Sequence, residues 1–212
     1  MIISSIIVRQ LNLCDWQSVS HAMHTYTNQR NHESNDEIWL VEHPSIFTQG
    51  KLGIKKHILN PNKIQVIQSD RGGQITYHGP GQQIMYVLID LKRCKVSVHK
   101  LINILEYSVI NTLSYFEINS HNQLNAPGVY VQNKKICSLG LRISRGCSLH
   151  GLALNVTVDL DPFLDINPCG FANMKMTNMQ HYNPKIDIKK VRVVLVSEFI
   201  KLMNYQYVLW TS

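Results

Sequence analysis

The chain has 212 residues, 44% of them hydrophobic and 17% charged. That balance suits a globular domain with a sizeable core and excludes a disordered tail, a collagen-like fibre or a coiled coil. The formal net charge is +7, and residues 51–100 alone hold nine lysines and arginines against two aspartates, so this quarter carries the whole excess and suits an anionic partner: nucleic acid, a membrane surface or an acidic protein.

Elements alternate with no repeat, low-complexity tract or linker, so one domain over residues 1–212 is expected. Ile2–Val8 reads as a strand, and Asp15 is placed to cap a helix that runs to Gln29. Glu37–Glu42 and Ile64–Ser69 are short β-type runs. The glycine-rich segment 71–82, RGGQITYHGPGQ, comes next. After it Gln83–Leu91 is apolar enough for a buried strand. Ser97 predicts an N-cap, since Val98, Leu101, Ile102, Leu105, Val109, Leu113 and Phe116 recur at the spacing of one helical face. Gly128–Gln132 and Lys135–Ile143 flank Asn133-Lys134 as an antiparallel hairpin, with Ser148–Val158 as a neighbouring strand. A helix from Ile188 to Asn204 and a terminal strand, Tyr205–Trp210, complete a mixed α/β fold of the α+β type with mainly antiparallel pairing.

The N-terminus lacks a basic n-region, and no run approaches the roughly 18 apolar residues of a membrane span, so a soluble, cytoplasmic protein is expected. Five scattered cysteines do not form the framework of a secreted domain; reduced thiols, and hence a thiolate nucleophile, are expected.

The glycine-rich segment fits neither a Walker loop nor a dinucleotide loop, because an apolar strand rather than a helix follows it. It reads equally as a plain turn or as a tight backbone path that brings N–H groups and the side chains of Arg71, Thr76, Tyr77, His78 and Gln82 to a ligand. Cys169, between Pro168 and Gly170, is placed on an accessible loop, with Cys137 and Cys147 as competitors. An ammonium favours a thiolate, so Lys134 and Lys135 are the groups to watch; strict alternation puts Lys135 and Cys137 on one strand face. No metal motif is present: His21 and His24 are three apart but lack evident partners. His78 and His150 stand out among the histidines because each adjoins a glycine, while Met174, Met176 and Met179 fit packing or a pocket lining.

Four segments in register, RGGxxTYHGPGQxxxY from Arg71, KIxSLG from Lys135, HGLALN from His150 and Pro168-Cys169-Gly170, closely resemble the lipoyl(octanoyl) transferases, the lipoate-protein ligase B type of enzyme. The resemblance covers about residues 35–180 and implies the mixed sheet flanked by helices that these enzymes share with biotin ligases. It implies that Cys169 carries an acyl thioester and that Lys135 activates it. It further implies that Arg71, Gly72, Gly73, Gln74, Ile75, Thr76, Tyr77 and His78, with Ser138, Leu139 and Gly140 and with Gly151, Leu152 and Ala153, line the acyl-substrate pocket. The implied reaction moves an octanoyl group from acyl carrier protein to a lysine of apo lipoyl domains, those of 2-oxoacid dehydrogenase E2 subunits and the glycine cleavage H protein. No cofactor or metal is expected, nor nucleic acid or membrane as partner, and the chain is expected to act as a monomer. Cys137, where a small apolar residue is expected, and Asn178, where a serine is usual, depart from the pattern.

An ATP-dependent lipoate or biotin ligase of the same fold needs no cysteine, and the HGPG and PCG segments favour the transferase over it. A non-enzymatic basic module would need aromatics interleaved with its charges, but Tyr77 and Tyr86 lie in the glycine segment and the strand after it. By the resemblance, the positive quarter becomes a docking surface for the acidic carrier protein, with Lys55 and Lys56 as its candidates.

Overall fold

A computed structural model describes residues 5–124 and 126–211. In chain order the elements are β1 (Ser5–Leu13), α1 (Trp16–Gln29), β2 (Asp36–Glu42), β3 (Ile46–Gln49), β4 (Val66–Gln68), β5 (Ile75–His78), β6 (Gln82–Leu88), α2 (Leu91–Cys94), α3 (Val98–Tyr115), β7 (His121–Asn122), β8 (Gly128–Val131), β9 (Lys134–Ser144), β10 (Cys147–Asn155), α4 (Ile188–Met203) and β11 (Tyr207–Thr211). Eight strands form one sheet in the order β11-β1-β2-β6-β10-β9-β8-β7, and β4-β3-β5 form a second, smaller one. In the large sheet only the β1 pairings, with β11 and β2, are parallel. The mixed, mainly antiparallel α/β fold expected from the sequence is therefore the fold observed. Among the described residues no helix is long and apolar enough to cross a membrane.

Helix starts are capped, by the expected Asp15 and Ser97 and also by Asp187. Asp15 accepts the Ser18 N–H at 2.8 Å, Ser97 the Lys100 N–H at 3.2 Å and Asp187 the Lys189 N–H at 2.9 Å, each satisfying a donor that the first turn leaves unpaired. Period-2 alternation then divides the sheet. Met85 and Val87 of β6, with Leu152 and Leu154 of β10, join Leu105, Val109, Leu195 and Phe199 in the main core under α3 and α4. Ile84, Tyr86 and Leu88, with Leu149 and Ala153, face the other way, toward Val19 and Met23 of α1. The small sheet seats Phe47, Ile75 and Tyr77 against Phe163 and Ile166 in a third cluster.

Several boundaries differ from the sequence reading. β1 runs on to Leu13, its register shifting between Gln10 and Asn12; Ile2–Ser4 of the predicted strand lie outside the described residues. β5 hides within the glycine-rich segment, and Leu91 opens α2 because Asp90 accepts the Lys92 and Arg93 N–H groups at 3.1 and 3.0 Å. The hairpin turns at Gln132-Asn133, not Asn133-Lys134. Both residues have positive φ, 48° and 66°, as a two-residue turn that follows strand twist requires. Val131 pairs with Lys134 and Tyr130 with Lys135, but Val129 pairs with Cys137, so Ile136 is the extra residue of a bulge. The expected strict alternation of Lys135 and Cys137 is broken there.

Candidate active site

The site lies on the α1 side of the large sheet, where Gly140 of β9 and Gly151 of β10 are directly paired and Gly151 in turn faces Tyr86 of β6. Two glycines in one cross-strand row leave no side chains above the strands, and that gap is the floor of a cavity. A side chain at Gly151 is also barred by the neighbouring strand, since its Cβ would fall 2.1 Å from the Met85 carbonyl oxygen.

Two cavities meet at Cys169, which lines both. The first, about 490 Å³ counted to its open mouth, is lined by Arg71, Gly73, Gln74, Ile75, Thr76, His78, Ser138, Leu139, Gly140, Gly151, Leu152 and Ala153 from the sequence expectation, and also by Trp16, Ile84, Tyr86 and His150. The second, about 970 Å³ on the same basis, adds Gly72 and Lys135 and has an apolar rim that includes Leu52, Val98 and Phe171. Gly73, Gln74, Leu139, Gly140 and Cys169 belong to both walls. Tyr77 belongs to neither: its side chain packs in the small-sheet core and its hydroxyl meets Ser45 Oγ at 2.9 Å.

Lys135 Nζ stands 3.2 Å from Cys169 Sγ, although the residues are 34 positions apart. The lysine is 1% exposed. Its backbone is held on both sides, its N–H by the Lys175 carbonyl and its own carbonyl by the Thr177 N–H, at 2.8 and 2.9 Å. Its side chain passes where a Gly128 Cβ would be, 2.3 Å from Cε, so residue 128 must be glycine for the ammonium to reach the sulfur. Tyr130 lays its ring 5.4 Å from Nζ. Burial works against the ammonium, but Cys169 and Tyr130 outweigh it and leave the lysine above its ordinary pKa. Cys169 is partly exposed in a left-handed conformation, φ 56°, uncommon for a residue with a side chain and frequent at functional positions. The loop before it is tied down by Asn167 N–H to the His57 carbonyl at 2.8 Å. Cys137, by contrast, is wholly buried in the main core, and burial pushes its thiol up and disfavours a thiolate there. Cys147 is buried as well.

Behind the first cavity the polar residues of the glycine segment form a one-way chain. Arg71 Nη2 donates to Thr48 Oγ1 at 2.9 Å, leaving the threonine to donate to His78 Nε2 at 3.1 Å. His78 Nδ1–H then donates to Gln82 at 2.7 Å, Gln82 to Asn155 at 2.9 Å, and Asn155 to the Thr177 carbonyl at 3.0 Å. Burial lowers His78 to about 3, so it is neutral, as an acceptor at Nε2 must be. Arg71 keeps its charge, since burial brings it only to about 10. His150 Nε2–H donates to Asp70 at 2.7 Å, and its ring stacks on Trp16. His24 also meets Asp70, at 3.2 Å, a partner that sequence spacing did not show. His24, Asp70 and His150 are close enough to bind one cation, but the Arg142 guanidinium, with Nε 2.8 Å from Asp70 Oδ2, already places a positive charge there. Asn178, which departs from the expected serine, caps the turn at 179–181: its side chain accepts the His181 N–H at 3.0 Å.

Residues 18–200 match the family model of the lipoyl protein ligase A/B catalytic domain. The chain belongs to this family. Within it, an octanoyltransferase of Pectobacterium atrosepticum is 56% identical over 200 residues, covering 94% of this chain and 88% of its own length. One from Yersinia pseudotuberculosis is also 56% identical, covering 94% and 86%. The chain is accordingly an enzyme of the octanoyltransferase type. Among solved structures, a lipoate-protein ligase A bound with ATP superposes with a TM-score of 0.76 at 14% identity, over 99% of this chain and 89% of that one. A bipartite lipoate protein ligase of Thermoplasma acidophilum, studied with its E2 lipoyl domain, gives 0.79 at 15% identity, over 99% and 88%. At these identities the two structures establish the fold alone.

Proposed function

We propose that octanoyl transfer by this enzyme runs through a thioester on Cys169, from an acyl carrier protein to the lysine of an apo lipoyl domain. The observation that carries this is the Lys135–Cys169 contact at the meeting point of two cavities. In this reading Cys169 attacks as the thiolate, with the Lys135 ammonium as its counter-ion. The thiolate attacks the donor thioester carbonyl, the carrier thiol leaves, and Lys135 gives up its proton to it. Acylation removes the charge that supported the ammonium, and burial then favours the neutral amine. Neutral Lys135 takes the proton shed by the attacking lysine amine as the C–N bond forms and the C–S bond breaks. The thiolate–ammonium pair is thereby restored, so the proton is lent and recovered within one cycle.

The basic stretch supports the acidic donor. Lys55 and Lys56 are exposed on a turn whose next residue, His57, holds the loop before the nucleophile, so a carrier docked there has its arm beside Cys169. After mixing with octanoyl acyl carrier protein, intact-protein mass spectrometry is expected to show one octanoyl adduct, absent from Cys169→Ala. An adduct that persists in that variant removes Cys169 from the mechanism. In the same assay Lys55→Glu/Lys56→Glu is expected to slow acylation by the carrier but not by a small octanoyl thioester; equal slowing with both argues against docking at this turn.

A further inference from the structure

Gln74 sits on the shared wall of the two cavities, and its side-chain oxygen Oε1 is buried with no hydrogen-bond partner among the described residues. Native interiors pair nearly all such atoms, so an orphan at a reaction centre asks for a ligand. Its amide lies against the nucleophile's neighbour: a Cβ on Gly170 would fall 2.3 Å from Nε2 and 2.5 Å from Oε1. Gly170, at φ 83°, is thus the residue that lets the amide lie against the loop that carries Cys169.

We infer that Gln74 Oε1 receives an N–H of the attacking amine in the second half of the reaction, and so selects an amine over a thiol as acyl acceptor. The inference rests on the octanoyl-cysteine reading above. An acceptor-only oxygen can hold only a donor. In the first half the atom bonded to the acyl carbon is the donor's sulfur, with no hydrogen to offer, and the pantetheine amides lie several bonds away. In the second half the incoming nitrogen carries two hydrogens. One N–H directed to Gln74 points the lone pair at the thioester carbonyl, and the other remains for Lys135 to take as C–N forms, C–S breaks and Cys169 departs as thiolate. Gln74 would then be a specificity residue of the amide-forming step.

The test uses the full-length octanoyl-enzyme prepared from octanoyl acyl carrier protein. Its discharge is timed separately with an apo lipoyl domain and with a small thiol such as β-mercaptoethanol, for the unsubstituted chain and for Gln74→Met, which keeps the side-chain length. The ratio of amine to thiol discharge is expected to fall about tenfold to hundredfold in the variant, the loss of one hydrogen bond in a desolvated site. General damage to folding or to the cysteine lowers both rates together and leaves the ratio unchanged, and that result overturns the inference. Failure of the unsubstituted chain to form any adduct on Cys169 instead overturns the covalent reading itself, and this inference with it.

Discussion

Two buried groups of charged residues in this molecule are built on opposite plans. Around Asp36, which is 1% exposed, every acceptor position is filled. Oδ1 takes Arg30 Nη2, Arg93 Nη2 and the Asp90 N–H at 2.8, 2.7 and 2.8 Å, while Oδ2 takes the Tyr205 hydroxyl at 2.8 Å and the Cys94 thiol at 3.3 Å. That hub ties β2 to the end of α1, to α2 and to the chain after α4. At the site the plan is reversed. The Arg71 guanidinium is buried and spends its donors on Thr48 and Gly72 oxygens, with no carboxylate beside it among the described residues, and Lys135 faces only a sulfur and an aromatic ring. A buried charge that meets an opposite charge on the chain holds a fold together; one that meets only neutral partners is available to a substrate.

Removing one charge from each group should separate these roles. Lys135→Met is expected to lower octanoyl transfer by about a hundredfold to ten-thousandfold, the range for losing a general acid–base, while thermal unfolding stays put or rises, because an apolar side chain of similar length replaces a buried cation. Asp36→Asn is expected to do the opposite. It leaves two arginines without their anion and should cost about 3–5 kcal/mol of stability, read as a lower urea midpoint, with little change in the rate per folded molecule. A Lys135→Met protein that unfolds early, or an Asp36→Asn protein that is stable but inactive, would erase the distinction.

How much of this was legible in the sequence follows the same division. Helix caps, sheet alternation and the glycine-bearing motifs are local signals, and they gave α1, α3, α4 and most strands. The Lys135–Cys169 pair proposed for catalysis was readable only through motif resemblance, since no periodicity links residues 34 positions apart. The Ile136 bulge, which breaks the alternation between Lys135 and Cys137, depends on pairing with β8 and leaves no local mark. Gly128 carries a signal that passed unused: a glycine opening a strand often marks close approach of another group, here the lysine stem. The Asp36 hub was invisible because its side-chain partners lie from 6 to 169 positions away. The charge count also needed the fold. Two of the nine bases in residues 51–100 are held by partners, Arg71 in the interior by Thr48 and Arg93, still 30% exposed, by Asp36, so most of the outward field belongs to the lysines.

Asp70 lies between the two plans, and its removal should have the smallest effect. Burial alone would raise this carboxyl, but the His150 hydrogen bond and the charges of His24 and Arg142 outweigh it and hold the group at about 2. A carboxylate whose pKa falls on folding adds stability above its unfolded value, near 3.8, and gives it up as pH drops through about 2. With the side chain 30% exposed, screening trims the contribution to about 1 kcal/mol. Asp70→Asn should therefore lower stability by that amount at neutral pH and flatten the acid limb of the stability curve between about pH 4 and pH 2. His150 and Trp16 line the first cavity, so activity should fall modestly as the imidazole loses its charged anchor. An unchanged acid limb would mean that His150 and Arg142 pair with Asp70 too weakly to matter in solution, and would move Asp70 out of both groups.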